Sequence, residues 1–334
     1  MKPRFPFGKH HTKMMVIQYE DDSLRIVVST ANLIGSDWEN RTQGLWVSPR
    51  CPKLSNQGDD DGDSPTGFKK SLLRYLKFYE LTPLKQYIDA VKACDFSQVK
   101  AFFVSSVPNS HKGPDLNAWG HKQVGVILRK YTPADASAWP LVCQSSSIGS
   151  LGLSEGTWLR GDFGQSLMAT AKFGTFKAPL LVIYPSKQNV FRSYDGVFGG
   201  GCLPYTRKTH EKQPWLRDFL HTWKADGCFR SKAMPHIKTY TRISPDNKRA
   251  SYFLLSSANL SKAAWGTTNK AGDSLQIQSY EAGVLLLPKF VTGKDYFEIG
   301  SELKLPYDIP LQKYPDDHTC WFMEYLKEAM AGLG

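Results

Sequence analysis

A short pattern of residues occurs twice in this chain, in the same order each time. The first copy runs His11-Thr12-Lys13, then Ser29-Thr30-Ala31-Asn32-Leu33, with Trp38 six positions beyond the Asn. The second runs His236-Ile237-Lys238, then Ser256-Ser257-Ala258-Asn259-Leu260, with Trp265 again six beyond its Asn. One His-x-Lys arises by chance in many proteins, but two copies sharing Ala-Asn-Leu and a downstream Trp indicate an internal duplication. A duplicated chain folds as two related halves, and a site built from both would receive one His-Lys-Asn set from each. Duplication could preserve core features alone, and the two Trp residues are read as core. His, Lys and Asn are poor choices for packing. They suit a nucleophile or acid placed beside donors that neutralise a phosphate.

The 334 residues allow two domains or one large pseudo-symmetric unit. A hydrophobic fraction of 41% with 13% aromatics fits a globular chain with a substantial core and argues against disorder. No apolar run reaches the ~18–20 residues that span a bilayer, and the start of the sequence lacks an apolar signal-type core. A soluble, unsecreted protein with no membrane partner is expected. Lys and Arg outnumber Asp and Glu by 42 to 31, a formal net charge of +11, which favours polyanionic partners through counterion release. Exposed aromatic rings would add base stacking. The six cysteines, Cys51, Cys94, Cys143, Cys202, Cys228 and Cys320, are scattered, with no Cys-x-x-Cys pair and no zinc-finger spacing. They fit a reducing compartment and no structural metal.

Residues 14–18 and 25–30 read as a hairpin across an acidic turn, and residues 44–47 as a further strand. Asp59, Asp61 and Asp63 alternate as in a calcium loop, but Ser64 and Lys69 stand where Gly and the final Glu are needed, so residues 56–67 read as a solvated loop. Helical spacing predicts helices over 68–79, 84–93, 123–131 and 208–223. Strands are predicted over 99–104, 141–144, 179–184, 236–242, 252–256 and 282–287. Residues 196–201 form a Gly-rich loop without the Gly-Lys-Ser/Thr of a nucleotide loop. Strands alternating with helices indicate an α/β protein, with residues 1–98 and 99–334 as its two halves.

On strands, His11 and Lys13 would project from one face, as would His236 and Lys238, leaving His10 a packing or surface role. Asn32 and Asn259 each follow an apolar strand, where side chains converge on a ligand. Gln43 and Glu281 head the next apolar strands and could orient a histidine through its second ring nitrogen. Glu281 is expected to raise the pKa of its histidine, and Gln43 to leave its partner neutral and nucleophilic.

The two His-x-Lys…Asn sets resemble the phospholipase D superfamily. Most members continue to an Asp, but Gln18 and Ile243 occupy those places here, a replacement that resembles the tyrosyl-DNA phosphodiesterase family. Residues 5–15 (Phe-Pro-Phe-Gly-Lys-His-His-Thr-Lys-Met-Met), 233–240 (Ala-Met-Pro-His-Ile-Lys-Thr-Tyr) and 257–266 (Ser-Ala-Asn-Leu-Ser-Lys-Ala-Ala-Trp-Gly) are similar to that family's two motifs. The likeness continues through Trp119-Gly120-His121 and residues 146–152 and covers most of 3–310.

The resemblance implies a phospholipase D-like pseudo-symmetric two-domain α-β-α sandwich with mixed sheets and an active site between the halves. It implies a nuclear DNA-repair phosphodiesterase acting without metal or other cofactor, as a monomer, on single-stranded or nicked double-stranded DNA with 3′ adducts, including topoisomerase I-derived peptide. His11 would attack phosphorus to form a phosphohistidine. His236, its pKa supported by Glu281, would protonate the departing tyrosine and then activate water, leaving a 3′-phosphate. Lys13, Lys238, Asn32 and Asn259 would hold the non-bridging oxygens, with Gln43 and Glu281 completing the catalytic set. Ser146, Ser147, Ser150 and Lys262 would contact the DNA backbone, and Phe7 could stack on a base. Relatives carry a stretch ahead of the first motif that supplies part of a sheet, so the first half is expected to be incomplete at its start. A phospholipase D-type lipid enzyme and a non-catalytic DNA-binding remnant are the competing readings.

Overall fold

The computed structural model describes residues 9–55, 61–172, 174, 175 and 177–332. Its main element is a nine-stranded mixed sheet. The hydrogen-bonded path runs Lys9–His10, Ser279–Leu286, Arg249–Ser256, Thr239–Ile243, Leu141–Gln144, Leu180–Ile183 and Leu220–His221. Ala101–Ser106 also pairs with Ser279–Leu286, and Phe297–Glu298 with Arg249–Ser256. Ala101–Ser106, Leu141–Gln144 and Thr239–Ile243 are buried along their whole length. That burial explains why the first two read as largely apolar runs, as strands covered on both faces do, whereas Thr239–Ile243 buries Thr239, Thr241 and Arg242 as well.

Alternate residues of these strands feed two cores. Phe102, Val104, Leu254 and Leu285 join a cluster with Trp158, Phe163 and Leu128 on one side. Ala101, Phe103, Leu255 and Val284 face a second cluster with Leu24, Ile26, Val28, Phe68, Leu72 and Tyr75. Leu24–Ser29 lies between Met14–Gln18 and Leu45–Val47 in a smaller three-stranded antiparallel sheet, the expected hairpin and its neighbour. The Phe68–Phe78 helix contributes Phe68, Leu72 and Tyr75 to the same cluster and so locks the small sheet to the large one. No helix among the described residues is long and apolar enough to cross a membrane. All six cysteines are free thiols.

Two expectations are corrected. Residues 208–223 do not form one helix: the chain makes Arg207–His210, a 3₁₀ turn Pro214–Phe219 and the strand Leu220–His221. Pro214 lacks the N–H a continuous helix needs. Gln213 beside it is fully buried, accepting from Leu151 N at 2.8 Å and donating to Gly149 O at 3.0 Å. The Gly-rich stretch is a 3₁₀ helix, Gly196–Cys202, in which Gly200 lies so close to the Trp321 indole that any Cβ would collide with it.

The third difference bears on function. Neither His-x-Lys lies on a strand. His11–Lys13 bridges Lys9–His10 of the large sheet and Met14–Gln18 of the small one. His236–Lys238 bridges the short strand Met234–Pro235 and Thr239–Ile243. Each motif turns the chain from one sheet into another, and each follows a strand that pairs with a segment far away in sequence.

Gly44 fills part of that junction, since a Cβ there would strike Leu255 Cδ1 and lie 2.9 Å from Ile237 Cδ1. Gly44→Ala should therefore destabilise the fold by about 1–3 kcal/mol, the usual cost of overpacking. Urea denaturation reads this as a lowered midpoint at unchanged slope; an unchanged midpoint would show that the junction yields.

Candidate active site

The strand before each histidine pairs with the other half of the chain. Lys9–His10 runs parallel to Ser279–Tyr280, the residues before Glu281, and His11 N donates to Tyr280 O at 3.1 Å. Met234–Pro235 runs parallel to Arg41–Thr42, the residues before Gln43, and His236 N donates to Thr42 O at 3.0 Å. The two pairings are the same construction used twice.

Each half's polar residue is held by its own half. Gln43 Oε1 accepts from the Thr30 hydroxyl at 2.8 Å, and the Thr30 oxygen accepts from Gly44 N at 2.8 Å. Glu281 Oε2 accepts from the Ser257 hydroxyl at 2.5 Å, whose oxygen accepts from Ala282 N at 3.0 Å. Thr30 and Ser257 are the residues two before the repeated Asn, so the duplication extends to this detail.

The partner of each histidine is exchanged. Glu281 Oε2 lies 2.9 Å from His11 Nδ1, while Gln43 Nε2 lies 3.1 Å from His236 Nδ1. This reverses the expected pairing of Glu281 with His236 and Gln43 with His11. The short parallel pairings carry each polar residue across to the histidine of the opposite copy. The expected rise in the His236 pKa is also overturned: burial, then the neighbouring Lys238 charge, pushes it down to about 4, against an opposing pull from Asp37.

Asp37 was not anticipated. Its Oδ2 accepts from Asn32 N and Asn32 Nδ2, both at 2.7 Å, and lies 3.3 Å from His236 Nδ1. Burial works against its charge, but hydrogen bonds from His236 and Asn32 hold its carboxyl at about 2. The duplication gives no signal for it, because Ala264 stands at the matching place in the second copy.

Lys238 is wholly buried and pushed down to about 7, by burial first and by Lys13 second; burial also lowers Lys13. Each ammonium group turns back on its own motif, Lys13 Nζ to His11 O at 2.7 Å and Lys238 Nζ to His236 O. Glu281 and Asp37 each act on both lysines, and Lys13 acts on Lys238, so the two sets are electrostatically linked.

Asn259 Oδ1 accepts from Ser146 N at 3.1 Å, Ser146 Oγ at 3.1 Å and Ser147 N at 3.0 Å, leaving its amide N–H groups to donate elsewhere. Ser146 is buried, Ser147 and Lys262 are partly exposed, and Ser150 is exposed. Phe7 lies outside the described residues.

This assembly has known relatives. A family description, "Tyrosyl-DNA phosphodiesterase", matches residues 1–315. The protein named "Tyrosyl-DNA phosphodiesterase 1" from Drosophila melanogaster is 46% identical, over 96% of this chain and 58% of the fly protein. The chain belongs to the tyrosyl-DNA phosphodiesterase family. A protein of the same name from Arabidopsis thaliana is 40% identical, over 86% of this chain and 48% of its own. The chain thus spans about half the length of these curated relatives. A crystal structure of the yeast tyrosyl-DNA phosphodiesterase is 21% identical with a TM-score of 0.73, covering 96% of this chain and 78% of that one, and shares the mixed α/β fold.

The two repeated Trp residues differ in this family member. Trp265 is core, as expected, but Trp38 is 50% exposed, with its indole donating to Asn32 O at 2.8 Å. Gly149 N donates to Leu260 O at 2.9 Å, and the Trp265 ring packs against Phe163 and Tyr240, with centroids 5.8 Å and 5.0 Å away. Leu33, Ile34 and Trp38 have no such cover among the described residues.

The lowered Lys238 pKa has a consequence for stability. Between about 7 and the ordinary 10.5, the unfolded chain holds this proton and the folded chain does not. Native stability therefore gains with rising pH across that window. Lys238→Met should flatten that part of the profile in denaturant melts from pH 7 to 10; an unchanged slope would mean the buried amine keeps its proton.

Proposed function

We propose that this chain is a DNA-repair phosphodiesterase that hydrolyses 3′-phosphotyrosyl and related 3′-blocking adducts, leaving a 3′-phosphate. The observation that carries the reading is the exchange of partners across the junction, which supplies two differently equipped histidines beside two lysines and two asparagines. His11, its side chain 32% exposed, presents Nδ1 to Glu281. A carboxylate there holds the Nδ1 proton and leaves a lone pair on Nε2, the form that attacks phosphorus. The carboxylate thus serves the attacking histidine. His236 is almost enclosed, which suits a group that moves protons.

In the first step the His11 Nε2–P bond forms as the P–O bond to the tyrosine breaks, and His236 gives the phenolate its proton. In the second, water attacks phosphorus, His236 takes the water proton, and His11 leaves. Lys13, Lys238, Asn32 and Asn259 donate to the non-bridging oxygens and stabilise the charge gathering there. An anion between the lysines favours their protonated forms and offsets the Lys238 charge that depresses His236. Four positioned donors allow the reaction to proceed without metal. Ser147, which donates to Asn259, together with Ser150 and Lys262 would receive the DNA backbone, and a DNA substrate implies work in the nucleus.

The test is a 5′-labelled oligonucleotide ending in 3′-phosphotyrosine. Conversion to the 3′-phosphate is expected, unaffected by chelator, with a loss of at least ~10²-fold in His11→Ala. Binding without conversion would favour a DNA-binding remnant. Turnover of phosphatidylcholine instead would favour a lipid enzyme, and loss of activity on chelation would contradict the metal-free route.

A further inference from the structure

We propose that Asp37 is the positioning residue of His236, keeping a proton on Nδ1 so that Nε2 alone gives a proton in the first step and takes one in the second. This rests on the reaction proposed above and assigns a role to a residue outside the repeated set.

Two groups meet His236 Nδ1, and they make opposite demands. Gln43 offers a donor: its Oε1 is committed to Thr30, which turns its amide nitrogen toward Asp37 O at 2.9 Å and His236 Nδ1 at 3.1 Å. Asp37 offers an acceptor, Oδ2, at 3.3 Å. A neutral imidazole has one N–H. If Gln43 decides, that proton sits on Nε2 and His236 cannot accept another there. If Asp37 decides, it sits on Nδ1 and Nε2 is free to act as base.

Gln43 is the nearer group, but the charge and the anchoring of Asp37 favour it. It is 6% exposed, and the backbone and side chain of Asn32 both grip the oxygen that faces the ring. The other charges acting on His236 are Lys238 and Lys13, which disfavour its cationic form, so Asp37 is the carboxylate that sustains it.

The proton balance then closes. The imidazolium gives its Nε2 proton to the phenolate oxygen as the P–O bond breaks. The neutral ring left behind still has Nδ1–H against Asp37 and a bare Nε2. That Nε2 takes the proton of the water whose oxygen bonds to phosphorus, and the His11–P bond breaks. Without Asp37, Gln43 draws the neutral ring into the wrong tautomer between the two steps, and the covalent intermediate stalls. The same contact links His236 to Asn32, so the proton carrier and a phosphate donor share one anchor.

The first test needs no substrate. In the full chain with ¹⁵N-labelled histidine, neutral His236 should show Nδ1 protonated and Nε2 bare, and Asp37→Asn and Asp37→Ala should move the proton to Nε2. An Nε2–H tautomer in the unmodified protein, or Nδ1–H retained in both variants, would overturn the proposal. On the 3′-phosphotyrosyl oligonucleotide, Asp37→Asn should accumulate the histidine adduct, its release falling by roughly 10²-fold while its formation changes by less than about 10-fold. Asp37→Glu should recover part of the release. Equal slowing of both steps would mean a merely structural role. Should the unmodified protein leave the oligonucleotide intact, the proposed reaction fails, and the tautomer measurement still decides the placement of the proton.

Discussion

Everything at the junction depends on two short parallel pairings, each two residues long. Lys9–His10 against Ser279–Tyr280 and Met234–Pro235 against Arg41–Thr42 exchange strands between the halves and end immediately before a catalytic candidate on each side. Such short pairings are weak in isolation. They hold because the cores behind them are extensive: Val284, Leu255 and Ile237 tie the large sheet to the cluster that supports the small one. The site is thus a product of the contact between halves, and a shift of one residue in either pairing would remove a histidine from its partner.

The pairings also explain the electrostatics. Bringing two His-x-Lys sets together concentrates positive charge in a buried place, at the expense of the charged form of Lys238. Glu281 and Asp37 offset part of that charge.

Much of this was legible in the sequence. The repeat located both His-Lys-Asn sets together with Gln43 and Glu281, because the duplication preserved their order and spacing. Apolar runs located the main strands to within a few residues. The exchange of partners was not legible, since two-residue parallel pairings carry no compositional signal and in-copy alignment suggests in-copy contacts. Asp37 escaped because it belongs to one copy only. Trp38 differs from its counterpart because burial depends on what covers a residue: Trp265 packs against Phe163 and Tyr240, and Trp38 lies under nothing comparable among the described residues. The segment 208–223 has helical spacing, but the buried side chain of Gln213 and the missing N–H of Pro214 override it.

The central claim is that partner exchange makes His11 the attacking group and His236 the proton carrier. The most direct measurement is peptide mapping by mass spectrometry of the DNA adduct trapped on His236→Asn after incubation with a 3′-phosphotyrosyl oligonucleotide. The account predicts a phosphoramidate on His11 and no adduct when His11→Ala is combined with His236→Asn. An adduct that persists in the double variant, or that maps to any other residue, would contradict it.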